Sequence, residues 1–422
     1  MVARERNVEL ALLLGAVAFI LLAMKSLDAA GFALPSNSSR IVTQFIVSAL
    51  AGHLALRMLA PRAQPQAYAT AMFLTAVGLA FVMRLAPDST QDQANWVSAG
   101  VITFAGACWF GGRAEMVVRQ AYTAGVAALV LLFATGIFGT TINGARLWIV
   151  VAGQTVQTTE LIKVLLLVFL AGYLSRHGAI LATPHFRIGG RDYSNLPYLV
   201  PLTGLLLAAV AALALLKDLG SIALLILLTV TMLSVATGRL RYVTVGALLL
   251  LLTGLAGYLA FSHVQVRVDT WLDPNVDPGG AGYQTLQATY AIQAGGVTGE
   301  GLGLGQPETV PAVATDYVFA AVAEELGLAG AAALVLAYVA LLYAGLRSSA
   351  AAASRERQYL CAGAAMLLAI QAGVIIAGNL RLIPTTGITL PFVSYGGSSL
   401  IVNFALIGII LGSSAPVQPR MS

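Results

Sequence analysis

Ionisable side chains are scarce in this sequence: Asp, Glu, Lys and Arg make up 10% of its 422 residues, where a soluble domain carries roughly a quarter. That scarcity excludes an ordinary solvated surface, and apolar residues fill the gap, at 58% of the chain with a mean hydropathy of +0.85. Cysteine is nearly absent. Cys108 and Cys361 fall in separate apolar runs, which argues against a disulfide framework or a cysteine metal site and makes both small core residues. The histidines, His53, His177, His185 and His263, show no metal-ligand spacing such as H-E-x-x-H and are read as incidental. A net charge of +5 is modest and is accounted for by arginines beside apolar runs, so there is no nucleic-acid signal.

What the sequence has in abundance is apolar runs long enough to cross a hydrocarbon core of about 30 Å. They occupy 9–25, 41–60, 67–84, 96–111, 121–139, 160–175, 196–215, 219–237, 243–261, 317–346, 358–378 and 397–413. The fold class is therefore all-α: a polytopic integral membrane protein with about twelve transmembrane helices. The first run follows Arg4 and Arg6 as a signal peptide would, but the series behind it makes it a retained anchor. Lys and Arg concentrate in alternate connections, among them Arg57, Arg62, Arg113, Arg119, Arg239, Arg241, Arg355 and Arg420. The positive-inside rule then sets both termini in the cytoplasm and the long connection 262–316 outside.

Polar groups near transmembrane helices are costly, so where they gather is the best pointer to function. They gather toward the outer face. In NGARLWIVVAGQTVQTTELIK, residues 143–163, a loop with Arg146 leads into a helix opened by Gln157, Glu160 and Lys163. At 100° per residue Glu160 lies about 60° from each of the other two, so they share one broad face. The plain alternative is a Thr158 or Thr159 N-cap with an i,i+3 ion pair. Lys217 and Asp218 form a short outer turn in LKDLGS, and here an Asp N-cap with a solvated Lys is the plain alternative. GEGLGLG at 299–305 is no phosphate loop, because no strand precedes it and no βαβ pattern surrounds it. Asp316 opens the next span, and of Glu324 and Glu325 at least one is expected to face protein or a water-filled cleft. GNLRLIPTTGITLPFVSYGGSSL, residues 378–400, has too much Pro and Gly for a spanning helix and is expected to form a re-entrant loop near 380–397. It carries Arg381, Ser394, Tyr395, Ser398 and Ser399.

Taken in order, NGARLW, QTTELIK, KDLGS, DPGGAGYQ, TDYVFAAVAEELG and PTTGITLPFVSYGGSS resemble the motifs of the shape, elongation, division and sporulation family, FtsW/RodA/SpoVE. The likeness runs from about Asn143 to Gly412, and the last motif is the most specific. The resemblance implies a glycosyltransferase that polymerises lipid II, the undecaprenyl-diphosphate-linked disaccharide-pentapeptide, on the outer membrane face, releasing undecaprenyl diphosphate. It implies a class B penicillin-binding protein as transpeptidase partner, alongside other elongation or division proteins and membrane lipids. It makes Asp277 the catalytic carboxylate, with Asp273 a turn residue before Pro274. Arg146, Lys163, Arg267 and Arg381 become candidate diphosphate contacts. Gln157, Glu160, Asp218, Gln284, Asp316, Ser394, Tyr395 and Ser398 become further substrate-side candidates. No protein metal site is expected; a divalent cation, Mg2+ or Mn2+, is left open as cofactor.

The chain departs from the family pattern at Thr158, Thr159, Lys217, Ala312 and Ala314, which puts substrate contacts around 311–315 in question, while Lys217 could add a diphosphate contact. It also has two more spans before the NGARLW loop than family members commonly do. The expected organisation is thus an N-terminal helical region 1–120 with an extra helix pair, a glycosyltransferase core 121–414 and a cytoplasmic tail 415–422. The competing functions are a lipid II flippase, for which alternating access and internal repeats are the usual signature, and a noncatalytic scaffold for a penicillin-binding protein.

Overall fold

In the computed structural model, residues 2–142, 145–151, 153–188, 191–194 and 196–414 are described. The expected tail 415–422, with Arg420, lies outside them, as do Asn143 and Gly144 of the NGARLW motif.

Helices run in chain order as α1 (Val2–Ala29), α2 (Ser38–Leu59), α3 (Pro65–Leu85), α4 (Thr90–Gly111), α5 (Ala114–Arg119), α6 (Ala121–Phe138), α7 (Thr158–Ala182) and α8 (Val200–Leu215). They continue as α9 (Leu219–Thr237), α10 (Arg241–Ala260), α11 (Ser262–Leu272), α12 (Tyr283–Gly295), α13 (Val318–Ala350), α14 (Arg355–Asn379) and α15 (Gly397–Ser414). Every expected span coincides with a helix, because in lipid the backbone must satisfy its own polar groups. Among the described residues, 10 helices are long and apolar enough to cross a membrane. The 22-residue α4 and the 16-residue α8 occupy the other two expected spans.

Helix packing relies on small residues. A Cβ on Gly408 or Gly412 of α15 would collide with the backbone of α4 at Phe104 and Cys108, so these glycines let the two backbones approach closely, as a G-x-x-x-G seam does. The same contact ties residues on both sides of position 120 into one core. The centre of the bundle is α3, α7, α14 and α15, whereas α10 is buried over little of its length and packs on α9 and α11. Cys108 and Cys361 are both buried and unbridged, as small core residues.

Three features go beyond a plain helix bundle. First, residues 380–396 form no helix, and their interior is buried at Leu390, Phe392, Val393 and Ser394. Tyr338, midway along α13, donates its hydroxyl to Pro391 O at 2.6 Å. A Cβ on Gly78, midway along α3, would collide with Phe392 O and Val393 O. The loop thus dips into the bundle, its irregular backbone shielded by protein as membrane depth requires.

Second, the segment before α7 is a three-stranded antiparallel meander: β1 (Thr140–Ile142), β2 (Ala145–Val151) and β3 (Gln154–Gln157). β-branched residues in RLWIVV favour a strand, and Gly153 at φ +80° makes the turn. A second hairpin pairs β4 (Pro184–Ile188) with β5 (Arg191–Ser194). Neither was expected from the sequence, since both are short pieces between much stronger apolar signals. Third, the connection 262–316 is not a bare loop but contains α11 and α12.

Candidate active site

Residues from four distant parts of the sequence meet at one end of the bundle. At the start of α7, Lys163 Nζ lies 2.8 Å from Glu160 Oε1 and 2.8 Å from Gln371 Oε1 of α14. Gln371 Nε2 donates to Thr389 O at 2.8 Å, and Thr389 Oγ1 meets Ser399 Oγ at 2.7 Å. One polar chain therefore links α7, α14, the 380–396 loop and α15. It is buried, so the expected shared face of Glu160 and Lys163 points into protein. Glu160 Oε2 is buried without a hydrogen-bond partner. The Gln157 backbone N–H donates to Ser398 Oγ at 3.0 Å, fixing the meander against α15.

Asp218 caps α9. Its two oxygens accept from Ser221 N at 2.9 Å and Ser221 Oγ at 2.6 Å, the capping geometry of a helix N-terminus. Burial holds its carboxyl above the usual carboxylate range, against the pull of the Ser221 bonds and of Lys163. Lys163, Ser221 and Thr159 form the polar end of a cleft that continues between α7, α8, α9 and α14 on Leu166, Leu213, Leu225 and Leu228. Preceding Asp218, Lys217 sits at φ +64°, a left-handed conformation unusual for a side chain of its size.

Across the cleft, α11 presents Arg267, whose Nη1 donates to Thr386 O at 3.1 Å. A Cβ on Gly387 would lie 3.3 Å from the Arg267 guanidinium and 3.7 Å from Asp316 Oδ2, so arginine, acid and loop converge there. Burial raises the Asp316 carboxyl against the opposing effect of its Thr315 hydrogen bond and of Arg267. One turn before Arg267 on α11 lies His263, read as incidental from the sequence. Its Nε2 is buried without a partner, and burial, Arg267 and Lys217 together depress its basicity. Lys217 and Arg267 thus bring two cations near one neutral histidine, a grouping that sequence spacing could not reveal because the turn before α9 and helix α11 are far apart in the chain.

The two aspartates of WLDPNVDPGGAGYQ differ in structure. Asp273 Oδ1 accepts from Asn275 N at 3.0 Å and Asn275 Nδ2 at 3.1 Å, a local turn cap. Asp277 is exposed; its Oδ2 accepts from Ala281 N at 2.9 Å and its carbonyl from Gly282 N at 2.9 Å. The turn is tight enough that a Cβ on Gly280 would strike the Asp277 carboxylate and one on Gly282 would strike Pro274 O. Among the described residues no ion pair reaches Asp277, so its second oxygen faces open space. Gln284, at the start of α12, donates to Pro311 O at 2.7 Å.

Other sequence candidates are committed to protein partners. Ser394 Oγ donates to Thr315 O at 2.5 Å and accepts from Leu390 N at 2.8 Å. Tyr395 N donates to Ala314 O at 2.8 Å, so the departures Ala312 and Ala314 lie in a segment used through its backbone. Arg381 Nη2 donates to Trp271 O at 3.1 Å. Arg146 stands apart from the cleft, exposed on β2 and bonded to Gly136 O at 3.0 Å. Gln371 and Asn379, which bridges Asp316 O and Ala320 N, were missed; their only sequence signal was amide side chains inside an apolar run.

This arrangement of an exposed carboxylate turn, two cations near a histidine and a buried polar chain accompanies a clear relationship. Residues 66–417 match the FtsW/RodA/SpoVE family, described as cell cycle protein. The chain belongs to this family. It is 35% identical over 385 residues to the peptidoglycan glycosyltransferase RodA of Mycobacterium tuberculosis strain H37Rv, covering 87% of this chain and 82% of that one. It is 34% identical over 294 residues to a probable peptidoglycan glycosyltransferase FtsW of Alcanivorax borkumensis, covering 68% of this chain and 73% of that one. A chain from a solved peptidoglycan synthase complex, studied for coordination of polymerization and crosslinking, superposes with TM-score 0.67 at 30% identity, covering 82% of this chain and 95% of that one. The family match begins within α3, leaving α1 and α2 before it.

Proposed function

We propose that this chain polymerises peptidoglycan glycan strands, joining a growing undecaprenyl-diphosphate-linked glycan to the 4-hydroxyl of lipid II. The observation that carries the reading is Asp277: an exposed carboxylate with one free oxygen, on a glycine-built turn, in the same connection as Arg267. In the proposed step the acceptor 4-hydroxyl oxygen forms a bond to the donor's anomeric carbon as the bond from that carbon to the diphosphate breaks. The bonding pair leaves with undecaprenyl diphosphate, the hydroxyl proton passes to Asp277, and the anomeric centre inverts. A diphosphate leaves as an anion, so it needs charge stabilisation rather than a general acid.

Lys217 and Arg267 are the first-choice diphosphate contacts, with Arg146, Lys163 and Arg381 as further ones, since guanidinium and ammonium groups bind phosphate oxygens directly. Glu160, Asp218 and Asp316 orient these cations or the sugar, while Gln157, Gln284, Ser394, Tyr395 and Ser398 shape the cleft. Among the described residues no group of His, Cys, Asp and Glu side chains forms a metal cage. A divalent cation would therefore enter on the substrate's diphosphate, and no step here is routed through it. Following the positive-inside pattern, the site faces outward with both termini in the cytoplasm. Helices α1 and α2 are the extra pair, and a class B penicillin-binding protein is the partner that cross-links the product.

The test uses purified protein with its penicillin-binding partner, labelled lipid II and a transpeptidase blocker. Glycan chains from the wild type and none from Asp277→Asn support polymerisation. Equal chains from Asp277→Asn remove Asp277 from the mechanism. Lipid II movement across liposomes without chains means a flippase, and neither activity means a scaffold.

A further inference from the structure

The glycine-rich segment 299–305 has a structural role that its sequence conceals. Helix α13 breaks at Gly327 (φ 66°, ψ −169°), and the segment wraps this break. Glu300 N and Gly301 N donate to the carbonyls of Glu324 and Glu325, each at 3.0 Å, and Leu328 N donates to Gly296 O at 3.0 Å. A Cβ on Gly295, Gly299 or Gly327 would penetrate the facing backbone, so the glycines serve close approach.

Arg84, in the last turn of α3, closes this wrap. Its Nε donates to Glu325 Oε1 at 3.1 Å, and its Nη2 donates to Gly305 O at 3.0 Å and Glu308 Oε2 at 3.0 Å. Its guanidinium also lies 5.1 Å from the centre of the Phe32 ring, beyond the end of α1. Glu324 Oε1 accepts from Gln306 N at 2.8 Å. Both glutamates of the EELG motif are therefore buried against this loop, meeting the expectation that at least one would face protein. The far end of the same segment holds the site: Pro311 O anchors Gln284, Ala314 O anchors Tyr395 N, and Thr315 O anchors Ser394.

We propose that Arg84 is a positioning residue for glycosyl transfer: by pinning 299–309 to α3 and the broken α13, it fixes the loop whose other end holds the Asp277–Gln284 turn and the 380–396 loop. It touches no substrate and acts through geometry, where a shift of about 1 Å can cost up to a hundredfold in rate. The inference rests on the polymerase reading above.

Removing only one partner of a buried ion pair is strongly destabilising, whereas replacing both is often tolerated. The chosen variant is therefore the double Arg84→Gln/Glu325→Gln, assayed with the penicillin-binding partner and labelled lipid II, beside Arg84→Lys, which keeps the charge and loses the fork. We expect kcat to fall about tenfold in the double variant with KM for lipid II unchanged. Amide exchange across 299–316 should rise while the bundle helices exchange as in wild type, and Arg84→Lys should lie between in both readouts. A double variant with wild-type kcat overturns the proposal, as does a fall in kcat in either variant with no change in loop exchange. If the double variant does not fold, Arg84→Lys decides by the same two readouts. A wild-type protein that makes no glycan overturns the polymerase reading instead.

Discussion

Trp271 and Arg381 hydrogen-bond each other reciprocally: Trp271 Nε1 donates to Arg381 O at 2.9 Å, and Arg381 Nη2 donates to Trp271 O at 3.1 Å. This clasp joins the end of α11 to the first residues of the 380–396 loop, with Arg381 at φ 56°. It places Arg381 under structural constraint, tied to a tryptophan two residues before Asp273. If the clasp is its main role, Trp271→Phe and Arg381→Lys lower kcat by similar factors and leave the KM for lipid II alone. A KM that rises only in Arg381→Lys would instead make the guanidinium a substrate contact. Each loss of a hydrogen bond of this kind costs about 1 kcal/mol of stability.

Lys163 and Glu160 are both buried, with side-chain exposures of 10% and 5%. Lys163→Met strands the Glu160 carboxylate and Gln371 Oε1 together, and is expected to destabilise the detergent-solubilised protein by about 3–5 kcal/mol. The double variant Lys163→Met/Glu160→Gln should recover most of that stability without recovering activity. Thermal unfolding and chain synthesis, measured side by side, check the two halves.

Asp218 gives a pH dependence with a definite sign. Its folded carboxyl titrates above the ordinary carboxylate value, chiefly through burial, so in the window between those two values the folded state holds more protons than the unfolded one. Stability from this group is fully present below the ordinary carboxylate range and is lost as pH rises through the raised value. Asp218→Asn keeps an N-cap side chain and removes the titration. Relative to wild type, its melting temperature should therefore improve as pH rises from acid to neutral. A constant difference across that range would contradict the assignment.

The turn at 273–282 separates two aspartates. Asp273→Ala removes a local cap, for a stability loss of about 1 kcal/mol, and retains most polymerisation. Asp277→Ala leaves the fold intact and abolishes it. Gly282→Ala puts a methyl into the packed inside of the turn, against Pro274 O and Asp277 O, and should displace the Asp277 carboxylate. Its kcat is expected to fall at least tenfold, comparable to misplacing a catalytic group.

Much of this was legible in the chain. Long apolar runs identify spanning helices whatever their neighbours, since the requirement for internal backbone hydrogen bonding is local to each segment. The Pro and Gly content of 378–400 identified a buried irregular loop by the same reasoning. The meanders at 140–157 and 184–194 were not legible, because a few β-branched residues carry little weight beside long hydrophobic helices. Nor were α11 and α12, whose amphipathic stretches sit inside a connection rich in turn residues. GEGLGLG was read as no phosphate loop, and its packing at the α13 break required the partner backbone to be visible.

By itself the sequence determined the membrane class, the order of the spans and the family motifs. Those properties depend on residues within one segment or a few positions apart. The tertiary structure decided which polar groups meet: Lys163 with Gln371, Arg267 with the Thr386 carbonyl, Trp271 with Arg381, and Arg84 with Glu325. These partners lie on different elements, and in a bundle whose lipid-facing and protein-facing residues are alike apolar, no hydrophobic periodicity records which faces turn toward one another.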